Sequence, residues 1–113
     1  MNKVEAVIRP EKLTAVKDAL ADAGFVGLNV VSVTGRGGQK GIVHQGRGGQ
    51  PVTIDMLPKL KLELVVSDDD TDKACDVIIE TARTGEIGDG KIFISLVADV
   101  IRVRTGERGD PAL

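Results

Sequence analysis

The chain has 113 residues, a formal net charge of -2 and a single cysteine. That length predicts one compact domain over residues 1–113 and leaves no room for a separate catalytic module. With 42% apolar and 28% charged residues, the composition is that of an ordinary globular protein, and its acidic balance supplies no summed positive field for nucleic acid or an anionic membrane. Phe25 and Phe93 are the only aromatics. The core must therefore be built from Val, Ile and Leu, and stacking of exposed bases has little to rest on. Cys75 alone forbids an intrachain disulfide and a cysteine-based zinc site, which suits a reducing cytosol. Met1-Asn2-Lys3-Val4-Glu5 carries an acid where a signal peptide would have its apolar stretch, and no window approaches the length of a membrane span. The expected location is cytoplasmic.

Residues 3 to 9 alternate around Val4, Ala6 and Ile8, which predicts a strand. Pro10-Glu11-Lys12 then opens a helix with Leu13, Val16, Leu20 and Ala23 on one face, ended by Gly24. The β-branched run from Phe25 to Thr34 reads as a second strand. Gly35 to Asp55 shows no periodicity and holds seven glycines between positions 35 and 49; so long a connection in a small domain is usually functional. Residues 58–66 alternate Leu60, Leu62, Leu64 and Val66 against Lys59, Lys61, Glu63 and Val65, the clearest strand in the chain. Ser67-Asp68-Asp69-Asp70 places capping oxygens and negative charge ahead of a helix with Ala74, Cys75, Ile78 and Ala82 as its buried stripe. After Gly85, Gly88 and Gly90, the segment from Lys91 to Val97 returns as a strand. The order is βαββαβ with a long insertion between strands 2 and 3, an α+β, ferredoxin-like arrangement of two helices on a four-stranded antiparallel sheet. The opposite sheet face carries Val7, Val31, Val33, Val65, Phe93 and Val97, which predicts burial by self-association.

Thr84-Gly85-Glu86-Ile87-Gly88-Asp89-Gly90-Lys91-Ile92 comes close to a phosphate-binding loop. Ile92 stands where that loop needs Ser or Thr, and the segment leads from helix into strand rather than the reverse, which argues against a P-loop nucleotidase. Its chemistry still favours anions, because glycines let backbone N–H groups approach a phosphate and Lys91 adds a point charge; the competing reading is a tight helix-to-strand turn. Gly35-Arg36-Gly37-Gly38-Gln39-Lys40-Gly41 is a second glycine-rich cationic stretch whose spacing misses the dinucleotide fingerprint. Arg102-Val103-Arg104 would put two guanidinium groups on one side of an extended segment, able to clasp phosphate. His44 lies in the insertion without a sequence-local acid or nucleophile. Cys75 reads as a small buried hydrophobe, and no serine has a nucleophile context.

Taken together these segments resemble the nitrogen-regulatory PII signal-transduction family over essentially the whole chain. The resemblance is carried by Ala6-Val7-Ile8-Arg9-Pro10-Glu11-Lys12-Leu13, by Gly35 to Gly41, by Leu57-Pro58-Lys59, and most specifically by Ala82 to Phe93 and Ile101-Arg102-Val103-Arg104-Thr105-Gly106. It implies a homotrimer that binds ATP or ADP between subunits and, with Mg and ATP, 2-oxoglutarate. Under it, Gly88, Asp89, Gly90 and Lys91 match the phosphate loop, with Arg102 and Arg104 contributed by the neighbouring subunit. Asn29, Glu63 and Val65 fall near adenine and ribose. Gly37, Gly38 and Gln39 would also contact the ATP or ADP and form the base of the mobile loop, about residues 36–54, where Gln39 would ligate Mg and help hold 2-oxoglutarate together with Lys59 and Gly88. The C-terminal segment is about residues 100–113.

The implied role is non-enzymatic: the loop engages an ammonium transporter or a nitrogen-assimilation enzyme, recruiting the cytoplasmic protein to the membrane in the first case without inserting into it, and no nucleic acid is involved. A dianionic keto acid beside a triphosphate needs a bridging cation, so 2-oxoglutarate should follow Mg-ATP. Departures from the family pattern are Gly38 where an arginine is common, Asn29 where a threonine is common, and a loop that appears one residue longer and has no modifiable tyrosine. Arg47, in the Arg47-Gly48 pair near the loop tip, is the residue expected to enter the partner. A nitrogenase-regulating paralogue, a small nucleotide-using enzyme and an oligomeric scaffold are the alternatives.

Overall fold

The computed structural model describes residues 1–37, 42–45, 51–54 and 56–113, the two short internal segments by their backbone. The chain forms β1 (Asn2–Ile8), α1 (Leu13–Asp22), β2 (Asn29–Gly35), β3 (Ile42–Gln45), β4 (Pro51–Ile54), β5 (Leu57–Val66), α2 (Thr71–Ala82) and β6 (Lys91–Leu96). The main sheet has four strands in the order β2-β5-β1-β6, and every neighbouring pair in it is antiparallel. This is the ferredoxin-like α+β fold the alternation patterns predict.

The period-2 strands and the two amphipathic helices meet in one core. Val4, Ala6 and Ile8 of β1 and Leu62, Leu64 and Val66 of β5 face Val16 and Leu20 of α1 and Ala74, Ile78 and Ala82 of α2, all buried. Those side chains drive the fold, each large one contributing about 1.5–3 kcal/mol on burial. Among the described residues, Thr71 is the buried polar one. Its hydroxyl donates to the Ser67 carbonyl at 3.0 Å and accepts from Asn2 Nδ2 at 3.0 Å, so nothing polar is left unpaired there.

Three local expectations are corrected. The second strand starts at Asn29 rather than Phe25: Gly24 adopts φ +96, the Phe25 N–H closes back on the Leu20 carbonyl at 2.8 Å, and Phe25 and Leu28 turn inward against the core. β-branched composition could not register that this turn is needed to bring the chain back to the sheet. The insertion is not aperiodic throughout, because β3 and β4 pair as a second, two-stranded sheet with Ile42 opposite Ile54 and Gln45 opposite Pro51. Its signal was two short β-branched runs flanking a glycine-rich centre. The capping oxygens ahead of α2 make no side-chain cap; a 3-10 turn over Asp68–Asp70 intervenes. The Asp68 carboxylate instead accepts from the Met1 amine at 2.8 Å.

Candidate functional site

Because β5 runs antiparallel to both β1 and β2, and β6 antiparallel to β1, the ends of β1 and β2 and the starts of β5 and β6 share one end of the sheet. Chain segments far apart in sequence therefore converge there: Arg9, Gly35 to Gly37, Leu57 to Lys59, and the turn from Thr84 to Lys91. They bound a cleft of about 300 Å³ lined by Val7, Gly35, Arg36, Gly37, Leu57, Lys59, Gly88, Gly90, Lys91 and Phe93. Arg36, Lys59 and Lys91 make its lining cationic, and it opens on the sheet face opposite the helices.

The turn between α2 and β6 is organised around one carboxylate. Asp89 accepts from Thr84 Oγ1 at 2.5 Å, the Thr84 N–H at 2.8 Å, the Gly85 N–H at 2.9 Å and Arg9 Nε at 3.0 Å. The Thr84 hydroxyl above all, then the two N–H groups and Arg9, hold its pKa far below the usual carboxylate range. Arg9 also donates to the Ile87 carbonyl at 3.0 Å, and Lys59 Nζ donates to the Gly88 carbonyl at 2.7 Å. Burial, then the nearby Arg9 charge, pushes the Lys59 pKa down, so an anion placed beside it would be favoured. At Gly90, φ is +98 and a Cβ would lie 1.6 Å from the Val7 carbonyl oxygen. The backbone can press this closely on β1 only because no side chain is present.

The anticipated nucleotide residues Gly37, Gly88, Gly90 and Lys91 are thus brought together with Lys59. Asp89 belongs to the same turn, but its side chain faces the scaffold rather than the cleft. Asn29, Glu63 and Val65 line a different depression, with Lys3, Gly27, Leu28 and Leu64. Asn29 pairs with Glu63, whereas Lys59 pairs with Val33, so the two places lie roughly 13–20 Å apart along β5. Arg102 and Arg104 do not sit on an extended segment. They occupy a tight hairpin in which the Gly106 N–H reaches the Arg102 carbonyl at 2.7 Å. The Arg102 guanidinium folds back onto Glu107 at 2.9 Å and the Pro111 carbonyl at 3.1 Å, while Arg104 is exposed. Gly38, Gln39 and Arg47 lie outside the described residues, and nothing is described of the His44 side chain.

Among the described residues no group of three or more His, Cys, Asp or Glu is placed to hold a metal, and no helix is long and apolar enough to cross a membrane. Sequence reasoning missed Arg9 as part of this site. Its partner Asp89 is 80 positions away, and the only local hint was a cation at a strand end just before a proline.

Fold and cleft together define a small α+β domain with a cationic, glycine-lined cleft at one end of its sheet. Comparison with known proteins makes this specific. The model of the family described as nitrogen regulatory protein P-II matches residues 1–107. The chain is 56% identical to nitrogen regulatory protein P-II of Nostoc punctiforme over the whole of both chains. It is 52% identical to nitrogen regulatory protein P-II 2 of Methanothermobacter thermautotrophicus, over all of this chain and 97% of that one. To nitrogen regulatory protein P-II 1 of Escherichia coli K12 it is 51% identical, again over both full lengths. The chain belongs to the P-II family of nitrogen-regulatory signalling proteins.

Proposed function

We propose that the chain is a non-enzymatic signal transducer that binds ATP or ADP and, with Mg and ATP, 2-oxoglutarate, in three clefts between the subunits of a homotrimer. Through its loop, residues 36–54, it would control a target such as an ammonium transporter. The observation that carries this reading is the convergence of Gly37, Lys59, Gly88, Gly90 and Lys91 on one cationic cleft. Lys91 and the glycine backbone would hold phosphate, and Lys59 would take a carboxylate of 2-oxoglutarate. Asn29, Glu63 and Val65 lie too far along β5 to meet the base of the same nucleotide comfortably, which favours a site completed by the adjacent subunit. In that arrangement Arg102 and Arg104 would also come from the neighbour.

Mg would neutralise charge between the phosphates and the keto acid, held by their oxygens and Gln39. Arg47 would enter the partner, and with no tyrosine in the chain effector binding alone would set the loop. Calorimetry with ATP, ADP, Mg and 2-oxoglutarate, added singly and together, tests the reading. Nucleotide should bind alone, and 2-oxoglutarate only once Mg and ATP are present, with no ATP turnover. Absence of nucleotide binding would defeat it.

A further inference from the structure

Asp89 sits in the glycine turn that borders the cleft, yet it is not among the cleft's lining residues and its carboxylate is surrounded by donors from its own chain. Two of those donors, the Thr84 and Gly85 N–H groups, belong to the turn itself. A third, Arg9, comes from the end of β1 and reaches both Asp89 and the Ile87 carbonyl. Arg9 and Asp89 are largely shielded, with side-chain exposures of 15% and 24%. Arg9 therefore fastens the turn at two successive points, Ile87 and Asp89, either side of Gly88, while Gly90 is pressed onto the Val7 carbonyl one step further on. Between these fixed points lies the backbone of Gly88, whose carbonyl is tied to Lys59.

We infer that Arg9 and Asp89 are positioning residues: as a pair they hold the Gly88–Lys91 backbone in its anion-receiving shape, so that a phosphate binds a cradle already formed. This rests on reading the cleft as a phosphate site. The physical reason is preorganisation: a glycine-rich turn left to itself samples many conformations, and ordering it on binding would cost affinity. The pair lowers that cost before the ligand arrives. Arg9 carries the two hydrogen bonds in the fixed fork a guanidinium provides, which a lysine cannot reproduce.

The pair can be tested because two mechanisms predict opposite signs. Asp89→Asn removes a negative charge beside a phosphate site, so simple electrostatics predicts tighter anion binding. Positioning predicts weaker binding, since the Asn amide presents N–H where the turn needs an acceptor. Calorimetric titration of the assembled protein with ATP and with ADP should show roughly tenfold or greater weakening for Asp89→Asn and Arg9→Gln, as expected for losing charged hydrogen bonds. The loss should be similar for both nucleotides, and the double variant no worse than either single one. Arg9→Lys, which keeps the charge but not the fork, should fall between.

A second readout needs no nucleotide. Amide hydrogen exchange at Thr84 and Gly85 in the ligand-free protein should accelerate in both single variants while the core strands stay protected. Light scattering confirms that each variant remains assembled as the parent does. Tighter ATP binding by Asp89→Asn, or additive losses with a greater effect on ATP than on ADP, would overturn the inference and make Arg9 a direct ligand contact. Unchanged exchange at Thr84 and Gly85 would overturn it independently. A parent protein that binds no nucleotide would instead defeat the proposed function, with the exchange measurement still deciding whether the clamp exists.

Discussion

At Gly90 sequence and structure constrain each other most tightly. A methyl group there would meet the Val7 carbonyl at 1.6 Å in a backbone of φ +98, so substitution incurs both a steric clash and a left-handed penalty. Gly90→Ala should destabilise the fold by about 3 kcal/mol or more on those two grounds, read as a shifted urea midpoint; an unchanged midpoint would mean the turn does not pack on β1 as described. The titratable residues set a pH window. Asp89, held low by Thr84 and its neighbours, and Glu63, held low chiefly by its hydrogen bond from Lys61, contribute stability above the ordinary carboxylate range and lose it as pH falls through their folded values. Lys3, raised chiefly by its hydrogen bond with Glu5, contributes below the ordinary lysine value and loses that as pH rises through its folded one. Melting temperature should therefore be nearly flat from about pH 5 to 9 and fall below about pH 4, whereas at alkaline pH the loss from Lys3 is opposed by Lys59, whose lowered pKa gives stability back as it deprotonates. A steep change near neutrality would contradict these assignments.

At the scale of elements, α2 and the C-terminal hairpin make opposite demands. Ile78 of α2 is 1% exposed and packed between sheet and helix, so Ile78→Ala leaves a cavity and should cost about 2–5 kcal/mol. The hairpin is held by the Arg102–Glu107 ion pair at 2.9 Å, with 34% and 45% of the two side chains exposed. Glu107→Gln should cost less than about 1 kcal/mol, as exposed pairs do. Thermal melting of the two variants side by side checks the contrast; comparable losses would mean the hairpin is part of the cooperative core.

Over the whole molecule, the sheet face away from the helices departs from the apolar surface expected of it. Strand register builds one row from Val31, Lys61, Val7 and Lys91 and another from Asn29, Glu63, Glu5 and Phe93. Lys3, Glu5, Lys61 and Glu63 form linked ion pairs at its centre, between 3.2 and 3.7 Å. Val31 at 44% and Phe93 at 55% exposure flank that ladder. A face with paired charges in the middle and exposed apolar groups around them suits a specific contact with a second copy better than open solvent. If the proposed trimer forms through this face, Phe93→Glu should reduce the particle size measured by light scattering relative to the parent, with the helices retained by circular dichroism. An unchanged oligomer would place the interface elsewhere.

The pattern of residues alone determined the helix positions, the alternation of β1 and β5, the core from Val4 to Ala82, and the glycine-rich turn that runs from Thr84 to Lys91 between α2 and β6. All of these follow from periodicity and backbone chemistry within a few residues of one another. The family likeness was legible for the same reason, since its motifs are local runs. Tertiary structure decided what depends on distance: the inward turn at Phe25 that delays β2, the pairing of β3 with β4, the fold-back of Arg102 onto Glu107, and the recruitment of Arg9 to Asp89 across 80 positions. An antiparallel sheet brings strand ends together irrespective of their separation in the chain, so a cleft made at those ends has members that no local window contains.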